Sequence, residues 1–182
     1  MENHFTSIKT SKIELAKVQD DALLIGFFKD KLSLTADLAA LDNSLYKIIS
    51  SYIRDNGFKG EKSEAKSIYV GKNVKNIVLV GLGEEEKFGL DVLLSAIADA
   101  SKRLRDNGTA SFSIFLKSFV NNKFKEEEIV EKIVLSSLMG LYKFTEYKTK
   151  DKDKIKFIKN ITIITSEKDQ HVLLQISPHK HT

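Results

Sequence analysis

The chain has 182 residues, of which 42% are hydrophobic, and 29 basic against 25 acidic side chains give it a formal charge of +4. A chain of this length fits one domain with a sizeable core, and charges this evenly mixed are typical of a solvated surface rather than of a dedicated polyanion binder. The absence of cysteine excludes disulfides and thiolate metal sites, and no apolar run approaches the ~20 residues of a membrane span, so we expect a cytoplasmic protein without membrane contact.

Two strands are predicted near the N-terminus. Ile13, Leu15 and Val18 indicate a short first strand. The continuous apolar run of residues 22–28 indicates a second strand that is buried on both faces. Asp20 and Asp21 between them are typical of a turn, so we expect the two strands to form an antiparallel hairpin.

Three helices are predicted, each with apolar side chains at steps of three and four residues. The first extends from Asp37, the expected N-cap, to Gly57, the expected residue after the C-cap. The second follows an expected N-cap at Asp91 and ends at residues 107–108. Three consecutive glutamates at residues 126–128 favour the start of the third through the helix dipole.

Four further strands are predicted between and after the helices, at residues 67–70, 77–80, 111–116 and 161–165. Strands that alternate with helices predict an α/β fold. We expect a mixed, mostly parallel sheet with helices on both faces, antiparallel at its first hairpin.

The turn after the strand at residues 77–80 is the first candidate site, because ligands in open α/β sheets bind at the carboxyl ends of strands. Gly81 and Gly83 permit a sharp turn there. A dinucleotide fingerprint would need a third glycine where Glu86 stands, and the Gly-Lys-Ser/Thr of a phosphate loop is missing. Residues 84–86 are all glutamate and would repel phosphates, so we interpret the turn as structural; the alternative is a crevice for ADP-ribose or another nucleotide.

Side chains for metal binding or acid-base catalysis are few. His179 and His181 lie in a tail without a carboxylate at ligand spacing, so we predict no metal site and no catalytic residue in this chain. The Asp20-Asp21 pair, and Asp151 with Asp153, are better explained by turn chemistry than by acid-base chemistry.

A run of lysines near the C-terminal end is the one feature that resembles a polyanion site. Aromatic residues lie near the run, and lysines interleaved with aromatics can hold nucleic acid. Asp151 and Asp153 dilute its charge, so a solvated connection is the alternative. The candidate nucleic-acid contacts are Lys148, Lys150, Lys152, Lys154 and Lys156.

Two stretches carry a resemblance to a known family. Residues 79–91 read Leu-Val-Gly-Leu-Gly-Glu-Glu-Glu-Lys-Phe-Gly-Leu-Asp, and residues 140–150 read Gly-Leu-Tyr-Lys-Phe-Thr-Glu-Tyr-Lys-Thr-Lys. Together with the order of the strands and helices, they resemble the N-terminal domain of the leucyl (cytosol) aminopeptidases. The resemblance covers residues 13–167.

This resemblance implies a macro-domain-like three-layer α/β sandwich that precedes a separate C-terminal peptidase domain. In the family that second domain holds two divalent metals (zinc or manganese) and removes N-terminal residues from peptides, and the parent is a hexamer; some relatives bind DNA. The family's catalytic signature, Asn-Thr-Asp-Ala-Glu-Gly-Arg, is absent from this sequence, so no catalytic, cofactor or metal residue is carried over.

We therefore expect residues 1–167 to form the N-terminal domain and residues 168–182 to form a poorly ordered tail, because the sequence departs from the family pattern after Asp169. The chain is expected to be an excised, truncated or frameshifted portion of a leucyl-aminopeptidase-like protein. Its expected role is to pack against its own peptidase domain and neighbouring subunits. The alternative is a stand-alone macro-like module that binds ADP-ribose, a nucleotide or nucleic acid.

Overall fold

The computed structural model of the protein describes residues 6–142, 157–165 and 174–176. The strands in these ranges are β1 (Thr6–Ser11), β2 (Ala22–Phe27), β3 (Ala65–Tyr69), β4 (Asn76–Gly81), β5 (Ser111–Phe115), β6 (Asn160–Ile164) and β7 (Leu174–Ile176). The helices are α1 (Ala36–Ser44), α2 (Ile48–Asp55), α3 (Leu90–Asp106) and α4 (Glu126–Leu141). No helix in the described ranges combines the length and the apolarity that a membrane crossing needs.

The strands form one mixed sheet in the order β3-β4-β2-β5-β6-β1-β7. The five central strands are parallel to one another, and the two outer strands, β3 and β7, each run antiparallel to their neighbour. The prediction of a mixed, mostly parallel sheet is confirmed. Of the tail predicted at residues 168–182, the described part is β7, which pairs with β1.

Helices cover both faces of the sheet, as predicted. Alternate residues of a strand point to opposite faces, so Leu24 of β2 packs in one core with α3 and α4, while Leu23 packs in the other with α1 and α2. Because both faces are covered, β2 and β4 in the middle of the sheet are almost wholly buried, and all six residues of β2 are buried. The result is a three-layer sandwich.

The predicted first strand at residues 13–18 is wrong. Leu15 and Val18 are buried, but they belong to a short 3-10 turn, and the strand lies earlier, at Thr6–Ser11. In that strand only Ile8 is buried, so the sequence carries no apolar alternation that would reveal it. The predicted hairpin is also wrong: β1 pairs with β6 and β7, and the antiparallel hairpin of the sheet is β3–β4.

The predicted first helix is two helices. Tyr46 and Lys47 have positive φ angles of 55° and 65°, which interrupt the helix between α1 and α2. The buried carboxylate of Asp42 compensates by accepting hydrogen bonds from the backbone N–H groups of Ile49 (2.8 Å) and Ser50 (3.2 Å) at the start of α2. Sequence inspection missed the break because neither of the two residues is glycine.

Both N-terminal caps predicted for helices are wrong. Thr35 occupies the N-cap position of α1, and Asp37 lies inside the first turn, where it pairs with Lys117 at 2.9 Å. Gly89 occupies the N-cap position of α3, and Asp91 lies two residues later, within the first turn. The predicted ends are confirmed, since Gly57 and Gly108 both follow their helices with φ angles of 67° and 82°.

Candidate functional site at the carboxyl edge of the sheet

The glycine turn after β4 is built by close backbone approach. A methyl group on Gly81 would overlap the carbonyl oxygen of Glu61 and lie 2.8 Å from the carbonyl carbon of Gly60. Gly83 has a φ of 73°, a conformation that favours glycine. Gly81 is therefore required by the loop that packs on the turn, and Gly83 by its own backbone conformation, which is the structural role predicted for them.

The backbone N–H groups of this turn are engaged within the protein. The N–H of Leu82 donates to the Phe27 carbonyl at 2.9 Å, and the N–H of Gly83 donates to the Gly60 carbonyl at 2.9 Å. The N–H of Glu85 donates to the Asp30 carboxylate at 3.3 Å. A phosphate loop works by pointing free N–H groups at the anion, and these three are not available for that purpose.

Lysines surround the glutamates of the turn. Lys87 pairs with Glu84 at 2.8 Å, Lys31 pairs with Glu85, and Lys123 donates to the carbonyl of Glu86. The hydrogen bond to Glu85 raises the pKa of Lys31 above its usual value. These lysines partly offset the repulsion that the glutamates would exert on an anion. Each of them, however, already bonds to one of the residues 84–86. Exposed pairs of this kind contribute little stability.

The connection that follows β2 packs on one face of the sheet, and the connection that follows β5 packs on the other face. In a doubly wound sheet a ligand crevice would open between two such strands. In this protein, residues that follow β5 occupy the space between β2 and β5. The N–H of Gly26 donates to the Ser118 hydroxyl at 2.9 Å, and a methyl on Gly26 would lie 2.9 Å from the ring of Phe119. Phe119 is fully buried, so its ring packs directly on Gly26 and covers this part of the sheet edge.

An open groove of about 710 Å³ lies further along the same edge, beside the carboxyl ends of β5 and β6. Phe115, Ile164 and Leu41 are among its apolar lining residues. Lys117 and Asp37, which pair across it, provide part of its polar lining. Sequence inspection did not identify this groove because its walls come from segments far apart in the chain.

Asp20 and Asp21 are structural, as interpreted from the sequence. Asp21 accepts hydrogen bonds from Lys75 (2.6 Å) and from the backbone N–H groups of Ala110 (2.8 Å) and Ser111 (3.3 Å), which ties the start of β2 to the start of β5. The Lys75 ammonium, followed by these backbone donors, holds the pKa of Asp21 below its usual value of 3.8 although partial burial opposes the shift. Asp20 accepts from the hydroxyl of Ser113.

The predicted nucleic-acid contacts, Lys148, Lys150, Lys152, Lys154 and Lys156, lie outside the described residues, as do His179 and His181. These hypotheses stay predictions. Among the residues that the structure describes, no group of three or more histidine, aspartate or glutamate side chains is placed to hold a metal ion.

Comparison with known sequences gives one consistent result. The sequence model of the cytosol aminopeptidase family, N-terminal domain, matches residues 24–151. A probable cytosol aminopeptidase of Synechocystis is 28% identical over 138 residues, which are 75% of this chain and 27% of that protein. The chain spans less than a third of the length of such curated relatives.

Comparison with solved structures shows the same fold. A mutant tomato leucine aminopeptidase superposes with a TM-score of 0.73 at 16% identity, covering 89% of this chain and 33% of that one. The macrodomain of Thermus aquaticus DarG superposes with a TM-score of 0.63 at 8% identity, covering 88% of this chain and 99% of that one. The predicted macro-domain-like architecture is confirmed.

Proposed function

Since the chain belongs to the cytosol aminopeptidase family, as its N-terminal domain, we propose that it is a non-catalytic domain that packs against a peptidase domain and neighbouring subunits. The observation that carries this proposal is the family match over residues 24–151, combined with relatives that continue for more than twice the length of this chain. The closed glycine turn and the filled β2–β5 position support it, because both favour a structural role for this edge of the sheet.

Peptide hydrolysis in this proposal belongs to the peptidase domain of the parent protein. The resemblance implies that two divalent metals, zinc or manganese, act there, and that the parent is a cytoplasmic hexamer. Residues 1–167 form the N-terminal unit in this scheme. No step of hydrolysis is assigned to a residue of this chain.

The first test is activity of the purified chain. Leucine p-nitroanilide with Mn²⁺ should show no turnover above the uncatalysed rate. Turnover that disappears on chelation and returns with metal would refute a non-catalytic role. The mass of the native product in its own cells is the companion measurement: a species much heavier than 20.5 kDa supports a parent peptidase, whereas one near 20.5 kDa contradicts it.

One observation favours a second function, that of a stand-alone macro-like binding module. The superposition with the DarG macrodomain covers 88% of this chain and 99% of that macrodomain. Calorimetry with ADP-ribose separates the two proposals. We expect no saturable heat, because Phe119 fills the β2–β5 position and the N–H groups of Leu82 and Gly83 are engaged. A clear saturable isotherm would favour the binding module.

A further inference from the structure

Helix α4 carries an apolar surface that faces away from the domain's own core. One side of the helix begins with the exposed acidic residues Glu128 and Glu131 and continues with Leu135 and Met139. Tyr142, the extended C-cap residue, follows directly after the helix. The last three are 44%, 54% and 69% exposed. We call these three residues the α4 stripe.

The opposite side of α4 already satisfies the packing needs of the domain. Ile129 and Ile133 are fully buried in the core beneath the helix. Gly140 packs so closely on α3 that an added methyl would lie 2.9 Å from the Cα of Ala98. The α4 stripe is therefore separate from the core of the domain. The position of α4 is fixed by the contacts of Ile129, Ile133 and Gly140 on its other side.

The end of α4 is held in place as well. The buried guanidinium of Arg105 on α3 donates to the carbonyl of Gly140 at 3.0 Å and to that of Leu141 at 3.1 Å. An arginine that binds the last carbonyls satisfies acceptors that the helix leaves open and favours a fixed C-terminus. The stripe is thus presented on a preorganised element, which reduces the entropy lost when a partner docks.

We propose that the α4 stripe is the surface on which the peptidase domain docks, an inference that rests on the proposed function. The three side chains expose on the order of 300–400 Å². A stable dimer of free chains needs about 800 Å² per partner, so the stripe is too small to hold two copies of this chain together. A covalently linked domain faces the stripe at millimolar effective concentration and needs less area.

The charges beside the stripe define the complementary surface. Glu128 and Glu131 extend the same side of the helix towards its N-terminus, and both are exposed; the Glu128 carboxylate also accepts a hydrogen bond from the backbone N–H of Lys125 at 2.9 Å. A partner that covers Leu135 and Met139 and continues along the helix meets these carboxylates next. The docking surface of the peptidase domain is therefore apolar at its centre with lysine or arginine at one rim.

Site-specific photo-cross-linking of the native gene product in its own cells tests this proposal. Met139→p-benzoylphenylalanine places the probe in the stripe, and Tyr69→p-benzoylphenylalanine places it on the outer strand β3 as a matched control, since Tyr69 is 76% exposed. Mass spectrometry identifies the cross-linked peptides. We expect peptides of the peptidase domain at position 139, at a yield at least tenfold above that at position 69.

Each other outcome overturns the inference. Cross-links from position 139 to residues 143–156 would mean that the chain covers its own stripe, and cross-links to residue 139 of a second copy would mean that the stripe joins two copies. No cross-link at position 139 would mean that the stripe stays in solvent. Peptidase-domain peptides found only at position 69 would refute the docking face but keep the proposed function, whereas their absence at both positions, with a native mass near 20.5 kDa, would refute both.

Discussion

Replacing Gly140 with alanine sets two effects of opposite sign against each other. In a helix interior, Gly→Ala normally stabilises by about 1 kcal/mol because alanine has the higher helix propensity, and the gain is at most this large at Gly140, the next-to-last residue of α4. At Gly140 the new methyl would overlap the carbonyl oxygen of Ala98 and lie 2.9 Å from its carbonyl carbon. These are backbone atoms, which cannot rotate away, so α3 and α4 have to separate.

Overpacking of this kind costs about 1–3 kcal/mol, and contact with rigid backbone places Gly140→Ala near the upper end. After subtraction of the propensity gain, we expect a net loss of about 2 kcal/mol in the free energy of unfolding. For a domain of this size that loss lowers the Tm by about 4–8 °C.

Urea denaturation and thermal melting of the purified chain measure the effect of Gly140→Ala. Met139→Ala is the matched control, because it changes the adjacent residue of α4 where the side chain is 54% exposed; we expect a change within about 0.5 kcal/mol. A Gly140→Ala variant as stable as the wild type, or more stable, would show that the two helices do not pack as closely as the structure has them.

Three further predictions concern side chains inside the domain. Asp42→Ala should destabilise the chain by about 1–2 kcal/mol in urea, because the buried carboxylate caps α2; an unchanged midpoint would contradict this role. Asp21 has a lowered pKa in the folded state, so its stabilisation is complete above about pH 4 and is lost as the pH falls through that lowered value; Lys75→Met should reduce this loss in pH-dependent unfolding. Phe119→Ala should cost about 3–5 kcal/mol in urea, and a cost below ~1 kcal/mol would show that the ring does not fill the sheet edge.

Sequence inspection located the strands whose burial is visible in their composition. Residues 22–27 and 77–80 are continuous apolar segments because helices cover both faces of the sheet, and composition alone reveals such strands. The strand at residues 6–11 was not predicted because Ile8 is its only buried residue. The break at Tyr46 and Lys47 was not predicted either. It is stabilised by Asp42, whose carboxylate accepts a hydrogen bond from the N–H of Ile49, seven residues later in the chain.

The interpretation of the glycine turn as structural also came from the sequence, through the missing third glycine and the three glutamates at residues 84–86. The structure adds the physical cause. The N–H of Gly83 is occupied by the carbonyl of Gly60, which belongs to a loop more than twenty residues earlier. Local sequence patterns carry no information about which distant loop returns to a turn.

The sequence by itself determined most of the helices and strands, the α/β class and the family resemblance. Local propensity, apolar periodicity and short motifs each depend only on residues that are close together in the sequence. Only the tertiary structure decided the order of the strands, the filling of the β2–β5 position and the exposure of the α4 stripe. Each of these depends on contacts between distant residues, such as the hydrogen bond between Gly26 and Ser118, 92 positions apart. Such contacts form only when the whole sheet assembles, and they determine which surfaces remain for a partner.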